Sequence, residues 1–177
     1  LQARQVNWNN IPSNMGGRTR TLMFDPNDDN GVKIWAAGVS GGLWYNNNIE
    51  DINSVWQPVN DFWDNLSVSK IIHDPNNSEI YYVATGEANT AIITYRESSA
   101  RGVGIWRSLD SGQTWELLES TSDFEYVTDI EIQNNNIQLA NQSVIKNMTQ
   151  NPYVLNMTAN PYQPSRCIET SKSKSIA

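Results

Sequence analysis

The chain has little cysteine, histidine and positive charge, and each shortage excludes a class of function. The single cysteine, Cys167, excludes an internal disulfide and a cysteine-based metal cluster. The single histidine, His73, has no second histidine or paired nucleophile, which leaves a catalytic triad without support. Twelve Lys and Arg against 19 Asp and Glu give a formal charge of -7. Nucleic acid is therefore excluded as the main partner, because phosphates need clustered cations.

Long hydrophobic runs are also absent. The apolar stretches are short, such as residues 80–84, whereas a membrane-spanning helix needs ~20 apolar residues. The sequence therefore predicts no membrane span. The first residues form no charged-then-apolar leader, so we expect a signal peptide to be absent or already removed. Seven Trp and seven Tyr among 177 residues indicate a folded chain.

The composition changes along the chain. All ten glycines lie at or before Gly112, and all seven tryptophans lie at or before Trp115. Residues 1–131 carry 18 acidic and 8 basic side chains, whereas residues 132–177 carry 1 and 4. The last segment is rich in Asn, Gln, Ser and Thr and shows no sustained periodicity. We therefore expect residues 140–177 to form a weakly ordered or divergent tail.

Two similar stretches follow one another before this change. Four segments of the first stretch match four of the second in the same order: 20–27 with 69–76, 33–38 with 80–86, 42–45 with 104–107, and 56–59 with 115–118. Asp25 precedes Asp74 by 49 residues, and Trp56 precedes Trp115 by 59. The difference comes largely from an insertion between Gly86 and Gly102. An internal repeat of this length is typical of solenoids, propellers or arrays.

Each repeat unit predicts four short strands, because runs rich in Val, Ile, Trp and Tyr alternate with turn signals. Units of about 50 residues with four strands are typical of β-propeller blades. We therefore expect an all-β fold, an incomplete β-propeller of four-stranded antiparallel blades over residues 1–139. The blades should span about 18–59 and 66–119, with a closing strand at 6–8. A third blade should begin at about 125 and fade after Asn136.

Propeller rings close with typically ~4 to 8 blades, more than this chain shows. Either this chain is a fragment whose partners include the remaining blades of a longer parent chain, or its tail contains degenerate blades that the repeat does not reveal. We favour the fragment.

A short motif lies near the end of the second unit. Its residues Ser108, Asp110, Gly112, Thr114 and Trp115 fit the pattern S-x-D-x-G-x-T-W. We expect Asp110 to accept hydrogen bonds from backbone amides, Gly112 to take a positive φ, and Trp115 to be buried between sheets. Thr114 should begin the next strand. Alternatively, Asp110 is a catalytic residue, but we favour a structural role for it in a hairpin turn.

This motif resembles the Asp-box of bacterial neuraminidase repeats. Together with residues 14–20, 25–27, 35–44 and 84–87, it makes the sequence similar to secreted bacterial Asp-box propellers over about residues 5–132. Those proteins resemble the sortilin ectodomain and are often labelled glycosyl hydrolase-like. The resemblance implies a secreted or cell-surface location, a propeller of which this chain is an N-terminal fragment, and a turn remote from any active site. It implies no particular reaction.

Blade topology predicts where a ligand would bind. The loops that lead into the first strand and join the second to the third share one face of a propeller. These loops are 14–18, 38–42, 60–65 and 87–101, and the D-P-N turns and Asp-box should lie on the opposite face. Ligand sites on rigid scaffolds usually lie in such loops. The predicted ligand-binding residues are Arg18, Arg20, Asp61, Trp63, Asp64, Glu87 and Arg101.

These residue types suit a sugar. Trp63 would stack on a pyranose ring, while Asp61, Asp64 and the arginines would bond to hydroxyls or carboxylates. Alternatively, Trp63 packs against a neighbouring blade and the charges are solvated. We therefore expect a propeller segment that binds glycan or protein without catalysis or cofactor of its own. A third interpretation is a purely structural contact between blades.

A different alternative is the N-terminal part of a glycoside hydrolase acting on polysaccharide, with Asp61, Asp64 and Glu87 as the candidate carboxylates. A sialidase is disfavoured, because the Arg-Ile-Pro motif of that class is absent. Residues 25–31 resemble a calcium loop, but glycine falls at the seventh position and Ala36 at the twelfth. We therefore expect a turn there and no metal site.

Overall fold

The computed structural model describes residues 13–14, 18–59, 66–87, 100–133, 136–141 and 155–158. Within these ranges the chain forms three antiparallel sheets, and its one helical element is a short 3-10 turn at Glu119–Thr121. The strands are β1 (Thr19–Phe24), β2 (Ile34–Gly38), β3 (Gly42–Asn46), β4 (Gln57–Pro58), β5 (Val68–Asp74), β6 (Asn77–Thr85), β7 (Ile105–Ser108), β8 (Glu116–Leu117), β9 (Val127–Gln133), β10 (Asn136–Asn141) and β11 (Leu155–Thr158). No helix among these residues has the length and apolar character that crossing a bilayer requires.

Each sheet is a meander in which a strand pairs with the next one along the chain. Blade one has the order β1-β2-β3-β4, blade two the order β5-β6-β7-β8, and blade three consists of β9, β10 and β11. The sequence predicts that the third copy fades after Asn136, yet β10 begins at that residue. Strand β11 lies within the stretch 140–177. The closing strand expected at 6–8 lies outside the described residues.

The side chains of the second strands alternate between two apolar interfaces, as successive side chains of a strand must. In β6, Tyr81 and Val83 pack against blade one, whereas Tyr82 and Ala84 pack towards blade three. All four are at most 1% exposed, so blade two buries both of its faces. The chain is thus all-β, with four-stranded blades stacked side by side as in an incomplete β-propeller, and this prediction is confirmed.

At one end of the blades, each connection between second and third strands contacts the segment that leads into the next blade. The amide of Gly42 donates to the carbonyl of Leu66 (2.8 Å), and that of Gly102 donates to the carbonyl of Glu125. Gly86 has φ 98°, and a Cβ there would lie 2.2 Å from the same Glu125 oxygen, so this approach requires glycine. We call this end of the blades the loop face.

At the opposite end, the D-P-N turn of blade one binds blade two. The Asp25 carboxylate accepts hydrogen bonds from Trp35 Nε1 (2.9 Å) and from the Tyr81 hydroxyl (2.8 Å), and it pairs with Lys33 Nζ at 2.7 Å. Asn27 Nδ2 donates to Tyr81 Oη and to Ser111 Oγ (3.1 Å). Because Tyr81 and Ser111 belong to blade two, the turn joins the blades. We call this end the turn face.

The residues that fit S-x-D-x-G-x-T-W form the turn between β7 and β8, also at the turn face. Asp110 Oδ1 accepts from the amides of Gln113 (3.0 Å) and Thr114 (2.8 Å), and Oδ2 accepts from Thr114 Oγ1 (2.6 Å). Burial opposes ionisation of Asp110, but these donors outweigh it and hold the pKa below its ordinary value. Strand β8 begins at Glu116, two residues later than the sequence predicts.

Two other residues of this pattern fix how the turn meets its surroundings. Gly112 has φ 84°, and a Cβ there would lie 2.5 Å from the Trp35 ring of blade one. Trp115 is half-buried against the core between blades one and two, and its Nε1 donates to the Gly112 carbonyl (3.0 Å). The turn therefore combines internal hydrogen bonds with a close contact to the neighbouring blade.

Candidate functional site

The inner strands β1, β5 and β9 run side by side, and their starting ends form a polar groove at the loop face. This loop-face groove has a volume of about 350 Å³ and is lined by Arg20, Ser69, Lys70, Thr128 and Asp129. These are the second and third residues of the inner strands, so all three blades contribute to it. A groove shared by three repeats on a rigid scaffold is a typical location for a ligand site.

A buried carboxylate stands behind Arg20. The Glu87 side chain is 3% exposed, and its Oε2 lies 3.5 Å from Arg20 Nε. Glu87 is fixed in place, because its backbone exchanges two hydrogen bonds with Ala100 (2.8 and 2.9 Å). A charged pair with one member removed from solvent holds its geometry better than an exposed pair does. Glu87 therefore orients the Arg20 guanidinium, which keeps 31% of its surface exposed.

A second ion pair spans the mouth of the loop-face groove. Lys70 Nζ lies 2.8 Å from Asp129 Oδ1, and the side chains are 38% and 62% exposed. Both side chains therefore remain accessible to a ligand. Ser69 is buried beside them and donates its hydroxyl to the carbonyl of Val127, which joins blade two to blade three. The groove thus places cationic donors next to anionic acceptors.

The other two predicted cations lie in the loops around this groove. Arg101 Nη1 lies 3.3 Å from Glu125 Oε1, and its side chain is 73% exposed. Arg18 is exposed immediately before β1, and its carbonyl accepts a hydrogen bond from the amide of Val39 in the 38–42 connection. The two arginines therefore flank different connections between second and third strands.

Below the polar mouth, the groove continues as an apolar channel along the same three strands. This second cavity has a volume of about 470 Å³ and shares Lys70 and Asp129 with the loop-face groove. Its apolar lining comes from Leu22, Met23, Ile71, Ile72, Pro75, Ile130 and Ile132. His73 also lines it and sits near the end of β5, where its Nδ1 lies 3.2 Å from the Asp74 carbonyl oxygen.

The structure brings together some of the predicted ligand-binding residues. Arg20 and Glu87 form an ion pair, whereas Arg101 pairs with Glu125 instead. Asp61, Trp63 and Asp64 lie outside the described residues, so their part in a site stays a prediction.

Sequence reasoning missed five residues: Ser69, Lys70, Thr128, Asp129 and Glu125. The internal repeat contained a signal for most of them. Arg20, Ser69 and Thr128 occupy the same position in β1, β5 and β9, and Lys70 and Asp129 occupy the next. A search at repeat-equivalent positions would therefore have found four of the five.

The calcium-like segment uses its carboxylates within the protein. Asp28 Oδ2 accepts from the amides of Val32 (2.7 Å) and Lys33 (2.6 Å), and Oδ1 accepts from Asn30 (3.2 Å). The amide of Lys33, together with those of Val32 and Asn30, outweighs the cost of burial and lowers the pKa of Asp28. Asp25 is likewise engaged at the turn face. Residues 25–31 therefore form a turn in which the Asp25 and Asp28 carboxylates face hydrogen-bond donors.

Comparison with known proteins supports the architecture. No protein-family model matches the chain, and no curated protein sequence matches it. The crystal structure of an ancestral GH74 enzyme, a glycoside hydrolase of the propeller type, is similar with a TM-score of 0.51 and 20% sequence identity. The chain is an incomplete β-propeller. The similarity covers 70% of this chain and 16% of the GH74 chain, so this propeller segment spans about one sixth of that enzyme.

Proposed function

We propose that this propeller segment belongs to a secreted or cell-surface Asp-box propeller and binds glycan at its loop face. The loop-face groove carries the proposal, because three blades converge there on exposed hydrogen-bonding groups. Arg20 and Lys70 donate, Asp129 accepts, and the hydroxyl of Thr128 does both. Sugar hydroxyls also donate and accept, which makes a mixed surface of this kind suitable for a glycan. A protein ligand is the other partner that such a surface would serve.

The turn between β7 and β8 supports the Asp-box part of the proposal. Five of its residues fit the pattern, and the Asp110 carboxylate is fully engaged by Ser108, Gln113 and Thr114. A carboxylate held in this way stabilises a turn and is not available for chemistry. The sortilin-like and secreted character of the protein rests on the sequence resemblance alone.

The outer face of blade one supports the proposal that further blades of a longer parent chain complete the ring. Leu22 in β1 and Ile71 in β5 occupy the same position of the repeat, yet Ile71 is 2% exposed and Leu22 is 60% exposed. Ile71 is covered by blade one. Phe24, on the same side of β1 as Leu22, is also 60% exposed. An apolar face of this kind suits another sheet of the same type.

A glycan array probed with the 177-residue chain tests the proposed function. We expect binding that Arg20→Ala reduces, because the substitution removes the donor that Glu87 orients. Trp63→Ala should also reduce binding if its ring stacks on a sugar. Arg107→Ala is the matched control, because it removes an arginine paired with Glu116 on β7 and β8, outside the groove. Absence of binding to any glycan would refute the proposal.

A second candidate function is the N-terminal part of a glycoside hydrolase, which the similarity to the GH74 enzyme favours. Retaining and inverting glycosidases use two carboxylates that flank the scissile bond. Reducing-sugar release from glycans that bind on the array tests this candidate. Release that Glu87→Gln or Asp64→Asn abolishes would establish catalysis and would contradict a function limited to binding.

A further inference from the structure

We infer that the carboxylates of Glu87 and Asp129 determine specificity: by neutralising Arg20 and Lys70, they let the loop-face groove accept uncharged sugars and exclude acidic ones. This inference rests on the proposed glycan-binding function. It concerns which sugars bind. The role that it gives the two carboxylates is selection of the ligand, not stabilisation of the sheets.

The pairing of charges is the first observation. Arg20 lies 3.5 Å from Glu87, Lys70 lies 2.8 Å from Asp129, and Arg101 beside the groove lies 3.3 Å from Glu125. Recognition of a uronic or sialic acid depends on a cation, usually arginine, that is free to form a bidentate bond with the sugar carboxylate. Here each of these three cations already faces a protein carboxylate.

Glu87 cannot easily move away from Arg20 when an anionic ligand approaches. Its side chain is 3% exposed and lies behind Arg20. Its backbone amide and carbonyl both form hydrogen bonds with Ala100. A sugar carboxylate that took over Arg20 would draw the guanidinium away from the buried Glu87 carboxylate. Separating a buried carboxylate from a cation costs free energy, whereas a new exposed ion pair returns little. Arg20 is therefore presented to ligands as a hydrogen-bond donor within an ion pair that carries little net charge.

Asp129 excludes anions by a different route. Its side chain is 62% exposed at the mouth of the groove, so it repels a carboxylate that approaches Lys70. The same pair suits a neutral sugar, because an ammonium donor and a carboxylate acceptor 2.8 Å apart match the two hydroxyls of a vicinal diol. A buried carboxylate and an exposed one thus favour the same class of ligand.

The test compares neutral and acidic glycans on one array, with the full chain and its variants. The double variant Glu87→Gln/Asp129→Asn removes both carboxylates and keeps their hydrogen-bonding shape. The exposed single variant Asp129→Asn guards against loss of folding, which thermal unfolding by circular dichroism monitors. The matched control, Asp29→Asn/Glu79→Gln, removes one Asp and one Glu that are exposed and away from the loop-face groove.

We expect the unmodified chain and the matched control to bind neutral glycans and not acidic ones. The double variant should bind uronic or sialic acid ligands more tightly by roughly 2- to 30-fold, since we assign about 0.2–1 kcal/mol to each of the two ion pairs. Asp129→Asn should give a smaller gain. Acidic binding by the unmodified chain that equals or exceeds neutral binding, or no gain in the double variant, would overturn the inference while leaving the proposed function intact. Absence of all glycan binding would instead overturn the proposed function itself.

Discussion

The two ends of the blades, the turn face and the loop face, differ in how they use charge. At the turn face, the Asp25 carboxylate is 4% exposed and is engaged by Trp35, Lys33 and Tyr81. At the loop face, the Lys70–Asp129 pair between blades two and three keeps 38% and 62% of its side chains exposed. Satisfied buried polar groups contribute to stability, whereas exposed ion pairs contribute little. The difference indicates that the turn face holds the blades together and the loop face stays available for a ligand.

The largest effect should come from removing the carboxylate at the turn face. Asp25→Ala leaves the Trp35 indole and the Tyr81 hydroxyl without an acceptor and Lys33 without its counter-ion. We expect the free energy of unfolding to fall by about 3–5 kcal/mol, as measured by chemical denaturation. Asp29→Ala, in the same turn but exposed, should change it by less than about 0.5 kcal/mol. Equal effects of the two substitutions would contradict the role given to the turn face.

Substituting a glycine of the turn between β7 and β8 should have the next largest effect. Gly112→Ala places a Cβ 2.5 Å from the Trp35 ring at φ 84°, so both the neighbouring blade and the backbone must adjust. We expect the free energy of unfolding to fall by about 2–4 kcal/mol, measured by the same chemical denaturation.

Gly31→Ala is the control that isolates the cost of a positive φ in a residue with a side chain. Gly31 has φ 65°, and a Cβ there would have no neighbouring atom within 4 Å. That substitution should cost about 1–2 kcal/mol. A loss no greater for Gly112→Ala than for Gly31→Ala would show that the contact with Trp35 is unimportant.

The contribution of Asp25 should depend on pH. Burial raises its pKa, but the hydrogen bonds from Lys33, Trp35, Asn27 and Tyr81 outweigh burial and hold the pKa below the ordinary 3.8. The unfolded state therefore binds more protons between the folded pKa and 3.8, and stability rises with pH in that window.

The stabilisation from this shift is complete above the pKa that Asp25 has in the unfolded state. It is lost as the pH falls through the pKa that Asp25 has in the folded state. Denaturation of the unmodified chain and of Asp25→Asn at several pH values measures it. We expect the two stabilities to converge as the solution is acidified below about pH 4. A gap that stays constant across this range would contradict the assignment.

The smallest effect on stability should come from the loop face. Asp129→Asn removes the partner of Lys70 from an exposed pair, so we expect the free energy of unfolding to change by less than about 1 kcal/mol. The same denaturation measurement applies. A loss as large as that of Asp25→Ala would mean that the loop face, too, holds the blades together.

The sequence predicted the sheets because the repeat marks their boundaries. Asp25 and Asp74 end the inner strands, and Gly42 and Gly104 lie at the start of the third-strand segments of the two units. After Trp115 the chain has no further tryptophan or glycine. The second and third strands of blade three therefore carry none of the signals that marked the earlier ones.

The candidate site was less predictable, because ion pairs between blades depend on the relative position of strands far apart in the chain. Lys70 and Asp129 are separated by 59 residues and carry opposite charges at equivalent positions of the repeat. The repeat places both residues at equivalent positions, but it does not show that they form an ion pair, because that depends on how the blades stack. Asn27 was predicted only to form a turn, and its bond to Ser111 requires the stacking of two blades.

Hydrogen exchange with and without the glycan that binds best on the array tests the central claim most directly, namely that ligands bind at the loop face and not at the turn face. We predict increased protection at the starts of β1, β5 and β9 and in the 38–42 connection. Residues 25–31 and 109–115 should exchange at unchanged rates. Protection confined to those two turns, with none at the starts of the inner strands, would contradict the account.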